Sequence, residues 1–185
     1  MSLINNILDL ASIEAGYLKL DITRFNIHSM LASVLSLTTE RAKKLGISMS
    51  LTTTPQIGEM EGDETRIKQV LFSLISNAMK FTEPGGRITL SASAAENGMM
   101  ELWVEDTGIG IPESDQPQVF TKFFRGQGSG RNRKSGAGLG LSIVRSFIHL
   151  HYGSVELVSS PDQGTKVVCR MPRYQGENDK ASLSA

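Results

Sequence analysis

The chain has one cysteine, Cys169, in 185 residues. That excludes an internal disulfide and suits a reducing compartment. Cys169 lies among alternating apolar residues, where a thiol is expected to be buried in the core. Net charge is also lacking. Lys plus Arg and Asp plus Glu are both 19, which argues against a general nucleic-acid surface, though not against a local basic patch. No apolar run approaches the roughly 20 residues of a membrane-spanning helix, and no secretory signal is visible. No internal repeat is present. Apolar residues, at 39%, suffice for the core of one domain, or one domain with a short appendage.

Hydrophobic periodicity divides the chain into helices and strands. Leu3, Ile4, Ile7, Leu8 and Ala11 fall at helical spacing, with Gly16 as a stop. Leu18, Leu20 and Ile22 alternate as in a short strand. A second helix is expected from Ile27 to Lys44, with Ile27, Met30, Leu31, Val34, Thr38 and Ala42 on one face. Ile47, Met49, Leu51 and Thr53 alternate as a strand, and Pro55–Gly62 reads as loop. Asp63 is a good N-cap for a third helix, Glu64 suits its positive start, and Ile67, Val70, Leu71, Leu74, Ile75 and Ala78 form its apolar stripe. Two strands about Ile88–Ala92 and Met100–Val104 flank an Asn97-Gly98 turn. A short helix is expected within Ser114–Phe124. Gly126–Gly138 reads as a mobile loop, and a fourth helix spans Leu139–His151. A last hairpin pairs Ser154–Ser159 with Thr165–Met171. Helices alternating with antiparallel hairpins suit a two-layer α/β sandwich, one sheet covered by helices.

Four segments carry the chemistry. In Asp63–Thr82 (DETRIKQVLFSLISNAMKFT), Arg66, Gln69, Ser73, Asn77 and Lys80 recur at steps of three and four and share one polar face. A solvated face would look the same, but Asn77 is a poor helix former inside an otherwise good helix. An amide oxygen one turn from an ammonium suits a hydrated Mg²⁺ and a phosphate. In Val104–Pro112 (VEDTGIGIP), Asp106 ends a strand. Gly108 and Gly110 follow, where either a plain turn or close backbone approach to a ligand would use them. In Val119–Gly126 (VFTKFFRG), Phe120, Phe123 and Phe124 surround Lys122, with Arg125 next. In Ser135–Val144 (SGAGLGLSIV), Gly136, Gly138 and Gly140 with Leu139 and Leu141 open the fourth helix. Amides there stabilise anions. A dinucleotide fingerprint is rejected, because a polar loop precedes this segment where a strand would be needed.

In order and spacing these four motifs resemble the catalytic, ATP-binding domain of sensor histidine kinases, within the superfamily of gyrase, Hsp90 and MutL ATPases. The resemblance runs from about Leu3 to Pro172. It implies the Bergerat-type α/β sandwich, with a mixed, largely antiparallel sheet, preceded by the end of a helical-hairpin helix. It implies Asn77 as the Mg²⁺ ligand, Lys80 on phosphate, and Phe81 packed near adenine. Asp106 would accept the adenine amino hydrogen, supported by Thr165. Gly108, Gly110, Arg125 and the segment Gly136, Gly138, Leu139, Gly140 and Leu141 complete the ATP site. Arg131, Arg133 and Lys134 either neutralise the triphosphate or solvate the lid; the sequence does not decide.

By the same resemblance, residues 1–16 are the C-terminal end of the second helix of a dimerisation and phosphoacceptor hairpin. Residues 17–172 are the catalytic domain. The polar stretch 173–185 is expected to be a disordered tail. The implied partners are the phosphoacceptor hairpin of a homodimeric parent and a response regulator, with no nucleic acid. The implied location is cytoplasmic, in a parent either free or membrane-anchored. His28, His149 and His151 do not occur in a phosphoacceptor motif. His149 and His151 fall at a helix end that favours a cation, and ordinary structural roles are expected of them. The chain is therefore expected to hold ATP and lack its target.

Ser73 departs from the family, which has asparagine there in kinases and a glutamate base in hydrolytic relatives. Serine can hydrogen-bond but cannot by itself act as that base. An ATP-hydrolysing clamp is thereby disfavoured. A degenerate kinase serving as a binding module stays open, since Tyr152 also replaces a common glycine.

Overall fold

The computed structural model describes residues 3–53, 55–95, 98–126 and 137–174. In chain order these form α1 (Leu3–Glu14), β1 (Thr23–Asn26), α2 (Ile27–Lys44), β2 (Ser48–Thr52), β3 (Glu59–Gly62), α3 (Glu64–Phe81), β4 (Arg87–Ala94), β5 (Met99–Asp106), α4 (Gly140–Leu150), β6 (Ser154–Ser159) and β7 (Thr165–Pro172). One sheet has the order β2-β4-β5-β7-β6. Its β2–β4 pair is parallel and the other pairs are antiparallel. Parallel neighbours need a crossover, and α3 supplies it. None of these helices is long and apolar enough to cross a membrane.

The sheet register explains the core. Leu51, Leu90, Val104, Val167 and Leu157 stand side by side across the sheet. Their face packs on the helices, where Ile27, Leu31, Ile67, Ile75 and Phe147 are all buried. The opposite face is polar. There Arg170 joins Glu101 and Glu156, and the Lys166 ammonium lies 4.5 Å from the centre of the Trp103 ring. The expected mixed, largely antiparallel sheet under helices is what is found. Cys169 is buried on the core side, and burial pushes its thiol up to about 12.

The buried stripe of α2 is the one its periodicity predicts, from Ile27 to Ala42. Asp63 caps α3 as expected, its Oδ1 accepting from the Arg66 amide at 3.0 Å. Other expectations fail locally. No strand covers Leu18–Ile22; the strand lies just beyond, at Thr23–Asn26, paired with β3. Leu18 instead packs against the core from an irregular segment. Pro55–Gly62 is more than loop, because Glu59–Gly62 forms β3 around the buried Met60. A single apolar residue in that strand leaves no alternation to detect. Within Ser114–Phe124 there is one 3-10 turn, Gln116–Gln118.

His151 has the structural role expected of it, but as a buried neutral ring and not as the cation its helix-end position favours. Its Nε2 accepts from the Asp63 amide at 3.0 Å, and its Nδ1 lies 2.7 Å from the Phe147 carbonyl. Those contacts require the neutral ring with its proton on Nδ1. Burial lowers its pKa, against the opposing pull of the Phe147 carbonyl and Asp63. The ring lies over Gly62, where a Cβ would come within 3.3 Å of it.

The next residue carries strain. Tyr152 has φ 58° and is 63% exposed, so it adopts a left-handed backbone while burying little. Relief of that strain outweighs the entropy glycine costs, so Tyr152→Gly is expected to raise unfolding free energy by about 0.5 kcal/mol. Tyr152→Ala, which keeps the Cβ, should not. Chemical denaturation of both variants checks this; equal stabilities would refute it.

Candidate functional site

The polar face of α3 is divided between two jobs. Its first half holds α1. Asp9 accepts from Arg66 Nη1 at 3.0 Å and from Gln69 Nε2 at 2.7 Å, and Arg66 also donates to Gln69 Oε1 at 2.9 Å. Gln69 is buried there. Its second half, Ser73, Asn77 and Lys80, lines a cleft of about 990 Å³. Arg66 therefore does not extend the row of cleft-facing groups, although its spacing matches it, and Gln69 borders the cleft with its amide turned to Asp9.

The start of α4 closes the cleft opposite Asn77. Leu139 is the N-cap and makes no side-chain cap hydrogen bond, which leaves the first amides of the helix without a side-chain partner at the cap. A Cβ on Gly140 would stand 2.9 Å from Ser73 Oγ and 3.4 Å from Asn77 Nδ2. The absence of that Cβ lets the two helices approach here. Gly138, Gly140 and Leu141 line the cleft, as does Leu139, which is largely buried. Gly136 lies outside the described residues, as do Arg131, Arg133, Lys134 and most of the expected Gly126–Gly138 loop.

The other end of the cleft is built on the sheet. Asp106 ends β5 directly opposite Thr165, the first residue of β7. Its Oδ1 accepts the Gly108 amide at 2.8 Å. Gly110 has φ 66°, and a Cβ there would fall 1.9 Å from the Ser160 carbonyl, so only glycine fits. Ile109 N–H donates to the Phe81 carbonyl at 3.2 Å, tying this loop to the end of α3. Phe81 is 38% exposed, with the Lys80 ammonium 4.7 Å from its ring centre. Phe124 and Arg125 also line the cleft. Lys122 does not; it pairs with Glu14 at the end of α1.

Sequence reading missed the braces behind this end. Ser159 Oγ accepts the Ile111 amide at 2.9 Å and lies 2.9 Å from both the Gly164 carbonyl and Thr165 Oγ1. Gln116 Nε2 donates to the carbonyls of Ile111 and Ser159 at 2.9 and 3.0 Å. In sequence, Ser159 is the last residue of a strand before a turn, and Gln116 sits in a polar run. Nothing local distinguishes either from a surface residue. Among the described residues, no cluster of His, Cys, Asp or Glu could hold a metal ion on its own.

Residues 62–175 match the profile of the histidine kinase-, DNA gyrase B- and HSP90-like ATPase family. A sensor-like histidine kinase of Rhizobium meliloti, itself uncharacterized, is 35% identical over 93% of this chain and 33% of its own length. The chain thus spans about a third of that relative. Among solved structures, full-length ShkA in complex with AMPPNP superposes with TM-score 0.78 and 29% identity, over 92% of this chain and 35% of that one. Histidine kinase ThkA in complex with the response regulator TrrA superposes with TM-score 0.74 and 26% identity, over 95% of this chain and 49% of that one.

The electrostatics of Asp106 can be tested on the chain alone. Burial raises its pKa above 3.8, more than the amides of Gly108 and Thr165 lower it. A raised carboxyl in the folded state binds protons that the unfolded chain has already released. Wild type should therefore gain stability relative to Asp106→Asn as pH falls from the raised value toward 3.8. Urea denaturation of both proteins from neutral to acidic pH measures this. A stability difference that stays flat would show that burial does not govern the carboxyl.

Proposed function

Because the chain belongs to the histidine kinase-, DNA gyrase B- and HSP90-like ATPase family, we propose that it binds Mg-ATP as the catalytic domain of a two-component sensor histidine kinase. Residues 17–172 are that domain in this reading, and residues 1–16 end the second helix of its hairpin. The γ-phosphate goes to a residue on that phosphoacceptor hairpin, and from there to a response regulator. The parent is read as a cytoplasmic or membrane-anchored homodimer. The ThkA complex with a response regulator supports that kind of partner.

One observation carries the proposal: a single cleft has two chemically different ends. At one end Asn77 faces the opening of α4, and Lys80, one turn on, lines the same cleft with its ammonium near the Phe81 ring. Backbone amides at a helix start and an ammonium together favour a polyanion. The Asn77 side-chain oxygen suits Mg²⁺, which binds through few protein oxygens and completes its shell with phosphate and water. The residues present therefore fit the group, with Asn77 as the protein ligand. When bound, Mg²⁺ neutralises charge that develops on the phosphates. At the other end the Asp106 carboxylate, while ionised, only accepts hydrogen bonds. That suits the amino group of adenine, with Thr165 beside it and Phe81 exposed at the mouth. Gly110 lines the cleft beside the base, Gly108 holds the Asp106 carboxylate through its amide, and Arg125 adds positive charge near the triphosphate.

Asn77→Ala should remove most of the Mg²⁺ enhancement of nucleotide binding and leave the fold intact. Calorimetric titration with a non-hydrolysable ATP analogue, with Mg²⁺ and with a chelator, measures it. Equal enhancement in both proteins would show that Asn77 is only a solvated residue.

Ser73 separates phosphotransfer from hydrolysis. It occupies the position where hydrolytic relatives carry a carboxylate, and a hydroxyl alone does not retain a proton taken from water. His151 is buried, and its Nε2 accepts from the Asp63 amide, so it is no phosphoacceptor. Incubated with labelled ATP, the chain is expected neither to label itself substantially nor to turn over many ATP molecules. Adding the hairpin in trans should restore weak labelling, because covalent effective concentration is lost. Steady hydrolysis abolished by Asn77→Ala would favour an ATPase clamp. Tight binding with no transfer to any hairpin would favour the degenerate module, as Ser73 and Tyr152 allow.

A further inference from the structure

We propose that Ser159 and Gln116 are positioning residues that set base selectivity, by fixing the hydroxyl of Thr165 and the loop beside Asp106. The inference rests on the nucleotide reading above and adds residues that no motif marks.

Ser159 Oγ has a single proton, and it already accepts the Ile111 amide at 2.9 Å. The Gly164 carbonyl, at 2.9 Å, can only accept, so that proton goes to it. In the 2.9 Å pair with Thr165 Oγ1 the threonine must then donate to Ser159, which leaves the Thr165 lone pairs to face the cleft. Thr165 stands opposite Asp106 across the β5–β7 ladder, and both line the cleft. Ionised Asp106 is an acceptor. Paired with the lone pairs of Thr165, it matches the amino group on the six-membered ring of adenine, which has two N–H to give. Guanine carries a carbonyl at that position and would leave both acceptors facing an oxygen.

Gln116 holds the same assembly from the other side. Its amide donates to the carbonyls of Ile111 and Ser159 at 2.9 and 3.0 Å, so the loop after Gly110 and the end of β6 cannot separate freely. Asp162 N–H adds a further tie to the Ile109 carbonyl at 2.8 Å. Without the Ser159 hydroxyl, the Ile111 amide loses its acceptor and the Thr165 hydroxyl rotates unconstrained. A free rotor can serve either base as donor or acceptor, so discrimination falls.

The test titrates the chain with non-hydrolysable ATP and GTP analogues in Mg²⁺, following thermal unfolding in parallel. In Ser159→Ala the preference for the adenine analogue is expected to fall about tenfold, the loss of one well-placed hydrogen bond. Ser159→Thr, which keeps a hydroxyl, should restore it. Gln116→Ala should lower it less, and tests the idea if Ser159→Ala fails to fold. Mg²⁺ enhancement should be unchanged in all three, since Asn77 lies at the other end. Equal loss of affinity for both analogues, or an unchanged preference, would reduce these residues to structural braces and overturn the proposal. Wild type that binds neither analogue would sink the nucleotide reading itself, and this inference with it.

Discussion

Everything in the site depends on how α3 is seated. Its apolar stripe, Ile67, Val70, Leu71, Leu74, Ile75 and Ala78, is buried almost completely. Each large side chain of that kind contributes roughly 1.5–3 kcal/mol, while an N-cap such as Asp63 contributes about 1 kcal/mol. Burial thus holds the helix, and the cap sets where it starts. Asp63 does more than cap. Its Oδ2 accepts the Asp21 amide at 3.1 Å, and its own amide donates to His151 at 3.0 Å. The start of α3 is thereby pinned to the end of α4. With the helices pinned at that end, their far ends face each other as Asn77 and Gly140.

The opposite wall is a matter of register. Asp106 and Thr165 meet because β5 and β7 pair from Met99 with Pro172 to Asp106 with Thr165. A slip of one residue would turn every side chain of β7 to the other face. It would expose Val167 and Cys169 and send Thr165 away from the cleft. The cost of exposing a core row is what makes the polar site reproducible. Asp106 itself is held against its own preference, since burial raises its pKa despite the amides of Gly108 and Thr165. A carboxyl kept in such a place costs stability at neutral pH, a pattern expected where a group serves binding more than folding.

Much of this was legible in the chain. Long amphipathic helices announce themselves, so the buried stripe of α2 was readable to the residue, and that of α3 apart from Gln69 and Met79, which are buried as well. Asn77 was readable as a candidate because it breaks a rule that a plain helix would keep, whereas Asp106 and the glycines around Leu139 stood out through the order and spacing of the four motifs. What stayed hidden was decided by tertiary partners. β3 has no alternation, and its pairing with β1 is a long-range event. His151 looked like a helix-end cation, because nothing near it in sequence reveals the Asp63 amide that makes it a buried acceptor. Ser159 and Gln116 look like surface polar residues until the turn after β6 folds over the Gly110 loop.

The division of the polar face of α3 has a consequence for α1. Arg66 and Gln69 hold Asp9, and the Arg66 guanidinium lies 5.1 Å from the centre of the Phe147 ring. The same helix, one to three turns on, presents Ser73, Asn77 and Lys80 to the cleft. Glu14, at the end of α1, reaches Lys122 in the segment that brings Phe124 and Arg125 to the cleft. The other side of α1 leaves Ile4, Ile7 and Leu8 exposed. Its attachment is therefore largely polar on one side, through charged groups that keep partial access to water. Ion pairs of that kind are individually weak and set geometry more than stability. Beneath those contacts α1 joins the core through the buried Leu10, with Ile13 packed against it, while α2 is seated more deeply, with Ile27, Leu31 and Val34 buried completely.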